Sequence, residues 1–111
     1  MSNQLVSDAD VEKALDFLRD NAVPAASAKA ERIFCEEYRK SLKALLMKEH
    51  VSESIGAQER EAYAAPQYRE HLEKLKQAVF EEERLRALRS AAEMKIEAWR
   101  TMNANYRSMK L

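Results

Sequence analysis

A chain of 111 residues has room for one small domain, and a content of one glycine and two prolines favours helices throughout. The 19 basic and 19 acidic residues cancel to a net charge of zero, and the single cysteine excludes an internal disulfide framework. No stretch approaches the roughly twenty apolar residues that cross a bilayer, and the first residues lack the pattern of a signal peptide. We therefore expect a cytoplasmic protein that does not enter a membrane.

The first helix is predicted at 7–21. Ser7 and Asp10, three residues apart, form a variant of the capping box. Behind them one face is apolar at helical spacing, with Val11, Ala14, Leu15 and Leu18. Asn21 and Pro24 end this helix, because a proline disfavours helix in the residue before it.

The second helix is predicted at 25–50, with Pro24 in its first turn, where the missing N–H of proline costs nothing. Its apolar spacing predicts a buried stripe of Ala30, Phe34, Tyr38, Leu42 and Leu45, with Ile33, Leu46 and Met47 beside it. This is the pattern of an amphipathic helix with one face turned to a core.

A short helix is predicted at 55–64 with Ser54 as its cap, and Pro66 then opens a long helix at 66–109. The long helix has no glycine and no internal proline, and it would measure on the order of 60 Å. The predicted fold is all-α: an elongated helical hairpin with a short N-terminal helix and one very long C-terminal helix. Residues 1–111 would form a single domain, in which the second and long helices pack antiparallel.

The apolar stripe of the long helix changes phase between Val79 and Leu85, which are six residues apart where a continuous stripe requires seven. The first part comprises Tyr68, Leu72, Leu75 and Val79; the second comprises Leu85, Leu88, Ala92, Ile96, Trp99 and Met102 or Asn103. One interpretation is that the second half faces another subunit in a coiled coil. The other is that the stripe drifts around a curved helix within one monomer.

The charges are unevenly distributed along the chain. Residues 1–23 carry five acidic and two basic side chains, and residues 84–111 carry seven basic and two acidic ones. This asymmetry is compatible with an anionic partner at the basic end, or with an acidic segment that folds back on it.

The C-terminal turns hold the candidate site. Arg100, Asn103 and Arg107 share one helix face, and Trp99 and Tyr106 lie on the adjoining face. Arginine forks bind phosphates, and bases stack on aromatic rings, so this pattern is compatible with single-stranded nucleic acid. A second positive ridge on the second helix consists of Arg39, Lys40 and Lys43. The alternative is that Trp99 and Tyr106 are packing anchors and that the arginines are solvated.

No constellation of side chains indicates an enzyme, so no catalytic residues are predicted. Two histidines and one cysteine at wide spacing do not form a metal motif, and neither a metal nor another cofactor is expected.

Four segments together carry a family resemblance: YRKSLKALL at 38–46, EREAYA at 59–64, IEAWRT at 96–101 and ANYR at 104–107. This order of pieces resembles small all-helical proteins of tailed bacteriophages and, more loosely, phage recombination mediators of the UvsY type. The resemblance covers roughly residues 29–108. It implies a homo-oligomer that loads a recombinase on single-stranded DNA, with Lys40, Lys43, Arg100 and Arg107 touching phosphate.

The hypothesis from the sequence is a phage-encoded accessory protein of DNA recombination or replication, located in the host cytoplasm. It would bind single-stranded nucleic acid or a DNA-processing partner and assemble as a homo-oligomer. The alternative hypothesis is a helical protein-interaction or structural module, such as a host-enzyme inhibitor or a virion assembly factor, that does not bind nucleic acid.

Overall fold

The computed structural model describes residues 5–109, and these form helices without any strand. The elements are α1 (Asp8–Asp20), α2 (Ala22–Lys48), α3 (Ile55–Ala64) and α4 (Pro66–Met109). The prediction of an all-α fold with a short N-terminal helix and a very long C-terminal helix is confirmed. Residues 1–4 and 110–111, which the predicted domain includes, lie outside the described residues.

Helix α1 begins with a complete capping box. The Asp10 amide donates to Ser7 Oγ at 3.1 Å, and the Ser7 amide donates to Asp10 Oδ2 at 3.0 Å. These bonds satisfy backbone donors that have no acceptor within the first turn of a helix. At the other end, the Asn21 side chain donates to the Phe17 carbonyl at 3.0 Å.

Only Asn21 separates α1 from α2, since α2 begins at Ala22 and not at the predicted residue 25. Pro24 lies inside the first turn, where an amide would have no helical acceptor in any case. The Ala25 amide closes the first bond of the helix onto the Asn21 carbonyl at 3.0 Å. Pro24 therefore does not break the second helix.

A serine cap and a proline set the starts of α3 and α4. Ser54 caps α3 by accepting the Ala57 amide at 3.2 Å. Ala65 is extended, with φ −65° and ψ 139°, as a residue before proline prefers, and Pro66 opens α4. Helices α3 and α4 have the bounds that the sequence predicts, and α2 ends two residues earlier than predicted.

The chain divides into two compact units, one of the described residues up to Ala25 and from Glu83 onward, the other of residues 26–82. Each unit is described by itself below. The prediction of a single domain stays a prediction.

Residues 26–82 form an antiparallel pair of helices closed by α3. Contacts join Arg32 to Glu82, Cys35 to His71, and Leu46 to Tyr68, so rising numbers on α2 meet falling numbers on α4. At the closed end Leu46, Ala62 and Tyr68 are buried together, with Leu42, Met47 and Ala65 packed against them.

The face of α2 that packs inward differs from the predicted stripe. Most of its buried and half-buried positions follow alternating steps of three and four residues, the spacing of a coiled-coil seam, and the half-buried Glu36, Lys43 and Met47 flank this line. We call this set the inner seam; it consists of Ala28, Arg32, Cys35, Arg39, Leu42 and Leu46. Four members of the predicted stripe, Ala30, Phe34, Tyr38 and Leu45, are exposed instead. Leu42 was placed correctly, but the prediction otherwise favoured apolar side chains, whereas the seam also contains small and polar ones.

The same error explains the predicted phase shift in α4. Apart from Glu81 and Met102, its buried and half-buried positions follow steps of three and four: Tyr68, His71, Leu75, Ala78, Glu82, Leu85, Arg89, Ala92, Ile96, Trp99 and Asn103. Leu72, Val79 and Leu88, which were assigned to the stripe, are exposed. The spacing is unbroken at Glu82, so the prediction of a break after Val79 is wrong.

The second unit pairs α1 with the C-terminal part of α4. The Trp99 indole donates to Asp8, and Arg89 donates to the Leu18 carbonyl, which makes these two helices antiparallel as well. The buried side chains are Val6, Val11, Ala14, Leu85 and Ala92. The second half of α4 thus packs on the first helix of its own chain. This agrees with the interpretation in which the stripe stays within one monomer.

Candidate functional site

The last turns of α4 form an open groove of about 680 Å³ along one side of the helix. Its lining includes all five residues of the predicted C-terminal site: Trp99, Arg100, Asn103, Tyr106 and Arg107. Arg100, Tyr106 and Arg107 are exposed, while Trp99 and Asn103 are half-buried. The structure therefore brings the predicted residues together.

Several of these side chains are already engaged inside the protein. Trp99 Nε1 donates to Asp8 Oδ1 at 2.7 Å, and Asn103 Nδ2 donates to the Trp99 carbonyl at 3.0 Å. Arg100 Nη1 lies 2.8 Å from Glu97 Oε1. Trp99 thus anchors α1, and Tyr106 and Arg107 are the members that project from the groove without such a contact among the described residues.

The acidic first helix lies against the basic end of the chain. Asp10 has its pKa lowered below its ordinary value, first by the hydrogen bond from the Ser7 amide and also by the charges of Lys95 and Lys13. Arg89 caps the other end of α1, where helix carbonyls carry partial negative charge, at 3.0 Å from Leu18 O. The segments that form this unit carry nine basic and eight acidic residues in sequence, so the local excess of positive charge is almost cancelled.

The second predicted ridge belongs to the other unit, and its side chains are largely engaged. Arg39 is half-buried at an inner-seam position. Lys40 Nζ lies 3.5 Å from Glu37. Lys43 lies over the Tyr63 ring, 4.8 Å from its centroid, and its pKa is raised by the Tyr63 hydroxyl and by Glu59. Of the three basic residues, Lys40 alone is exposed.

A polar network inside the helical pair is absent from the sequence predictions. Arg32 is held by two carboxylates: Nη2 lies 3.3 Å from Glu82 Oε1 and Nη1 lies 3.0 Å from Glu36 Oε2. Its pKa is raised, above all by the Glu82 hydrogen bond. Glu82 itself is 5% exposed. A search of the sequence for positions in alternating steps of three and four, with polar residues allowed, would have found Arg32 and Glu82.

A histidine and a cysteine also lie in this interior. His71 Nε2 is 2.6 Å from the Cys35 carbonyl, so this nitrogen carries the proton and donates. Burial raises the pKa of the Cys35 thiol, and Glu31 near Sγ raises it further. A buried thiol with a raised pKa is a poor nucleophile, which agrees with a packing role.

The outward face of α2 carries large apolar side chains that the hairpin leaves uncovered. Phe34 is 60% exposed and Leu45 is 56% exposed. The Phe34 and Tyr38 rings stack with centroids 5.9 Å apart, and Tyr38 tilts against His71 at 5.2 Å. On α4, Leu72, Val79 and Phe80 are exposed as well. An apolar surface of this kind is typical of interaction sites.

Across residues 5–109, no three histidine, cysteine or acidic side chains come together in a way that could hold a metal ion. None of the described helices combines the length and apolar character that crossing a membrane requires. No family model, curated protein or solved structure matches this chain.

Proposed function

We propose that the protein is a small, non-catalytic helical module that assembles with copies of itself. The observation that carries this proposal is an inversion of side-chain size. Besides Leu42 and Leu46, the inner seam of α2 contains Ala28, Arg32, Cys35 and Arg39, whereas Phe34, Tyr38 and Leu45 lie outside.

This arrangement leaves the hairpin weakly stabilised on its own. Burying apolar area supplies about 25 cal/mol per Å², so small side chains in the seam contribute little. None of the large side chains in the described part of the chain is fully buried. Two helices with several large apolar residues facing outward gain most by meeting a second helical layer, as in a four-helix bundle.

The test is sedimentation equilibrium from about 1 to about 200 µM protein, a range that brackets micromolar affinities. The expected result is a mass that rises with concentration above the 12.8 kDa of one chain. A mass that stays at one chain over the whole range would eliminate the proposal. Intensity light scattering at the highest concentration gives an independent measure of the same mass.

A second candidate function is binding of single-stranded nucleic acid, as an accessory in phage recombination or replication. It is favoured by the exposed Arg100, Tyr106 and Arg107 along one groove, a combination of phosphate-binding forks and a stacking ring. The phage origin and the relation to UvsY-type mediators rest on the sequence resemblance alone.

Fluorescence anisotropy with a labelled oligonucleotide tests this candidate. The affinity should fall steeply as salt rises, because phosphate contacts release counterions. Replacing Arg107 by glutamine should reduce the salt slope by about one, the loss of one phosphate contact. Arg60→Gln, at an exposed site on α3, is the matched control and should leave the slope unchanged. Trp99 is unsuitable for this test, since its replacement also breaks its hydrogen bond to Asp8 and so loosens α1 from α4.

A further inference from the structure

Helix α2 carries a second seam on its outward side. Six exposed residues follow one another in steps of three, four, three, four and three: Glu31, Phe34, Tyr38, Ser41, Leu45 and Lys48. We call this set the outer seam. It has the spacing of the inner seam and of coiled coils generally, and all six side chains are exposed, although Tyr38 also touches His71 of α4.

The outer seam is complementary to itself when it is read in the opposite direction. A two-fold axis between residues 39 and 40 places residue 31 opposite 48, residue 34 opposite 45, and residue 38 opposite 41. Antiparallel pairing therefore sets Glu31 of one copy against Lys48 of the other, and Phe34 against Leu45. A parallel pairing would set each charge against its own kind, which is destabilising.

In the middle of the paired seams, the facing side chains are complementary in size. Tyr38 would meet Ser41, a large side chain against a small one, which is how seam residues interdigitate. The ring is already held in place, because it stacks with Phe34 at 5.9 Å and rests on His71 at 5.2 Å. His71 is fixed in turn by its 2.6 Å bond to the Cys35 carbonyl. A surface ordered in advance loses less conformational entropy on binding.

Charge also favours a second copy as the occupant. The sequence of residues 26–82 contains ten basic and eleven acidic side chains, which leaves a net charge of −1. Two units of such small net charge repel one another only weakly, and they offer no strong field to a highly charged partner. A single helix face gives an interface at the small end of the usual range, so the affinity expected is in the micromolar range.

We propose that two copies of the protein pair antiparallel through the outer seam of α2, with Glu31–Lys48 ion pairs at both ends and Phe34 packed on Leu45. This inference rests on the proposed self-association and specifies its surface and its direction. It makes the dimer an isologous one, in which each copy contributes the same residues.

The first experiment compares two phenylalanines of similar exposure by sedimentation equilibrium. Phe34 is 60% exposed and lies in the outer seam; Phe80 is 63% exposed and lies on α4. Phe34→Glu should weaken self-association by more than about 100-fold, since it buries an unpaired carboxylate in the contact. Phe80→Glu should change it by less than about threefold, the usual range for a surface substitution. Circular dichroism at low concentration checks that both variants remain helical.

The second experiment reverses the charges. Glu31→Lys and Lys48→Glu should each weaken self-association by about threefold to tenfold, because each replaces two opposite-charge contacts by like-charge ones. The double variant, which exchanges the two charges, should return to within about twofold of the wild-type affinity. Lys48→Glu is the cleaner single variant, since Glu31 also lies 3.5 Å from Cys35 Sγ.

The outcomes separate the inference from the proposed function. A wild-type protein that remains a monomer refutes both. A wild-type protein that self-associates, but is disrupted by Phe80→Glu and not by Phe34→Glu, keeps the proposed function and overturns the outer seam. Disruption by Phe34→Glu without rescue in the charge-exchanged variant overturns the antiparallel direction.

Discussion

Two adjacent leucines provide the sharpest check of which face of α2 points inward. Leu46 is 5% exposed and belongs to the buried cluster with Ala62 and Tyr68, whereas Leu45 is 56% exposed. Leu46→Ala should lower the free energy of unfolding by about 2–3 kcal/mol, within the 2–5 kcal/mol seen for buried leucines. The lower part of that range applies because Leu42 and Met47, packed beside it, are only half-buried and can move into the space.

A loss of this size shifts the thermal midpoint by about 10–20 °C in a domain of roughly 100 residues. The assay is urea and thermal unfolding followed by circular dichroism, at a protein concentration low enough to keep the chain monomeric. The slope of the urea transition should not change, since the substitution does not alter the surface exposed on unfolding.

The matched control is Leu45→Ala under the same conditions. Its effect on the free energy of unfolding should stay within about 0.5 kcal/mol, because an exposed leucine loses few contacts. At high concentration the same substitution should weaken self-association. Equal losses for Leu45 and Leu46 in the dilute monomer would show that the assigned inner face is wrong.

Four further predictions concern the N-terminal cap, the buried thiol and the buried ion pair. Ser7→Ala should cost about 1 kcal/mol of stability through loss of the cap. The pKa of Asp10 is lowered from its ordinary value of 3.8, so its carboxylate should stabilise the fold fully when the pH is above 3.8 and progressively less as the pH falls below that value. The fluorescence of the single tryptophan, which contacts α1, should follow both changes. Cys35 should react with a thiol reagent at least about tenfold more slowly in the folded protein than in urea, because its pKa is raised and its side chain is buried. Glu82→Gln should destabilise the protein by more than the roughly 0.5 kcal/mol of a surface change. Replacing both Arg32 and Glu82 by leucine should recover the lost free energy of unfolding, as measured in urea. No recovery in the double variant would contradict a buried ion pair.

Helix bounds and caps were the features that the sequence determined by itself. Ser54 and Pro66 act within a few residues of their own positions, and α3 and α4 begin and end where the sequence predicts. The capping box at Ser7 is also local, since it needs only Asp10 three residues away. The start of α2 was missed by three residues because Pro24 is tolerated anywhere in a first turn, so it does not mark one position.

The C-terminal site could be predicted in part. Arg100, Asn103 and Arg107 share a face on any helix, and the structure places them along one groove. The role of Trp99 depends on Asp8, which is 91 residues away in the chain, so no local pattern could pair the two. The sequence did allow an acidic segment to fold back on the basic end, and the structure realises that option.

Tertiary structure alone decided which face of each long helix is inside. The rule that large apolar residues point inward selected Phe34 and Val79, but two closely packed helices accommodate small residues and matched charges at the seam. Ala78 allows close approach, and Arg32 becomes acceptable inside only because Glu82, fifty residues away, neutralises it. A single helix contains no information about that partner. The sequence therefore determined where the helices lie along the chain, and the long-range pairing of their seams determined which side chains remain outside to meet another molecule.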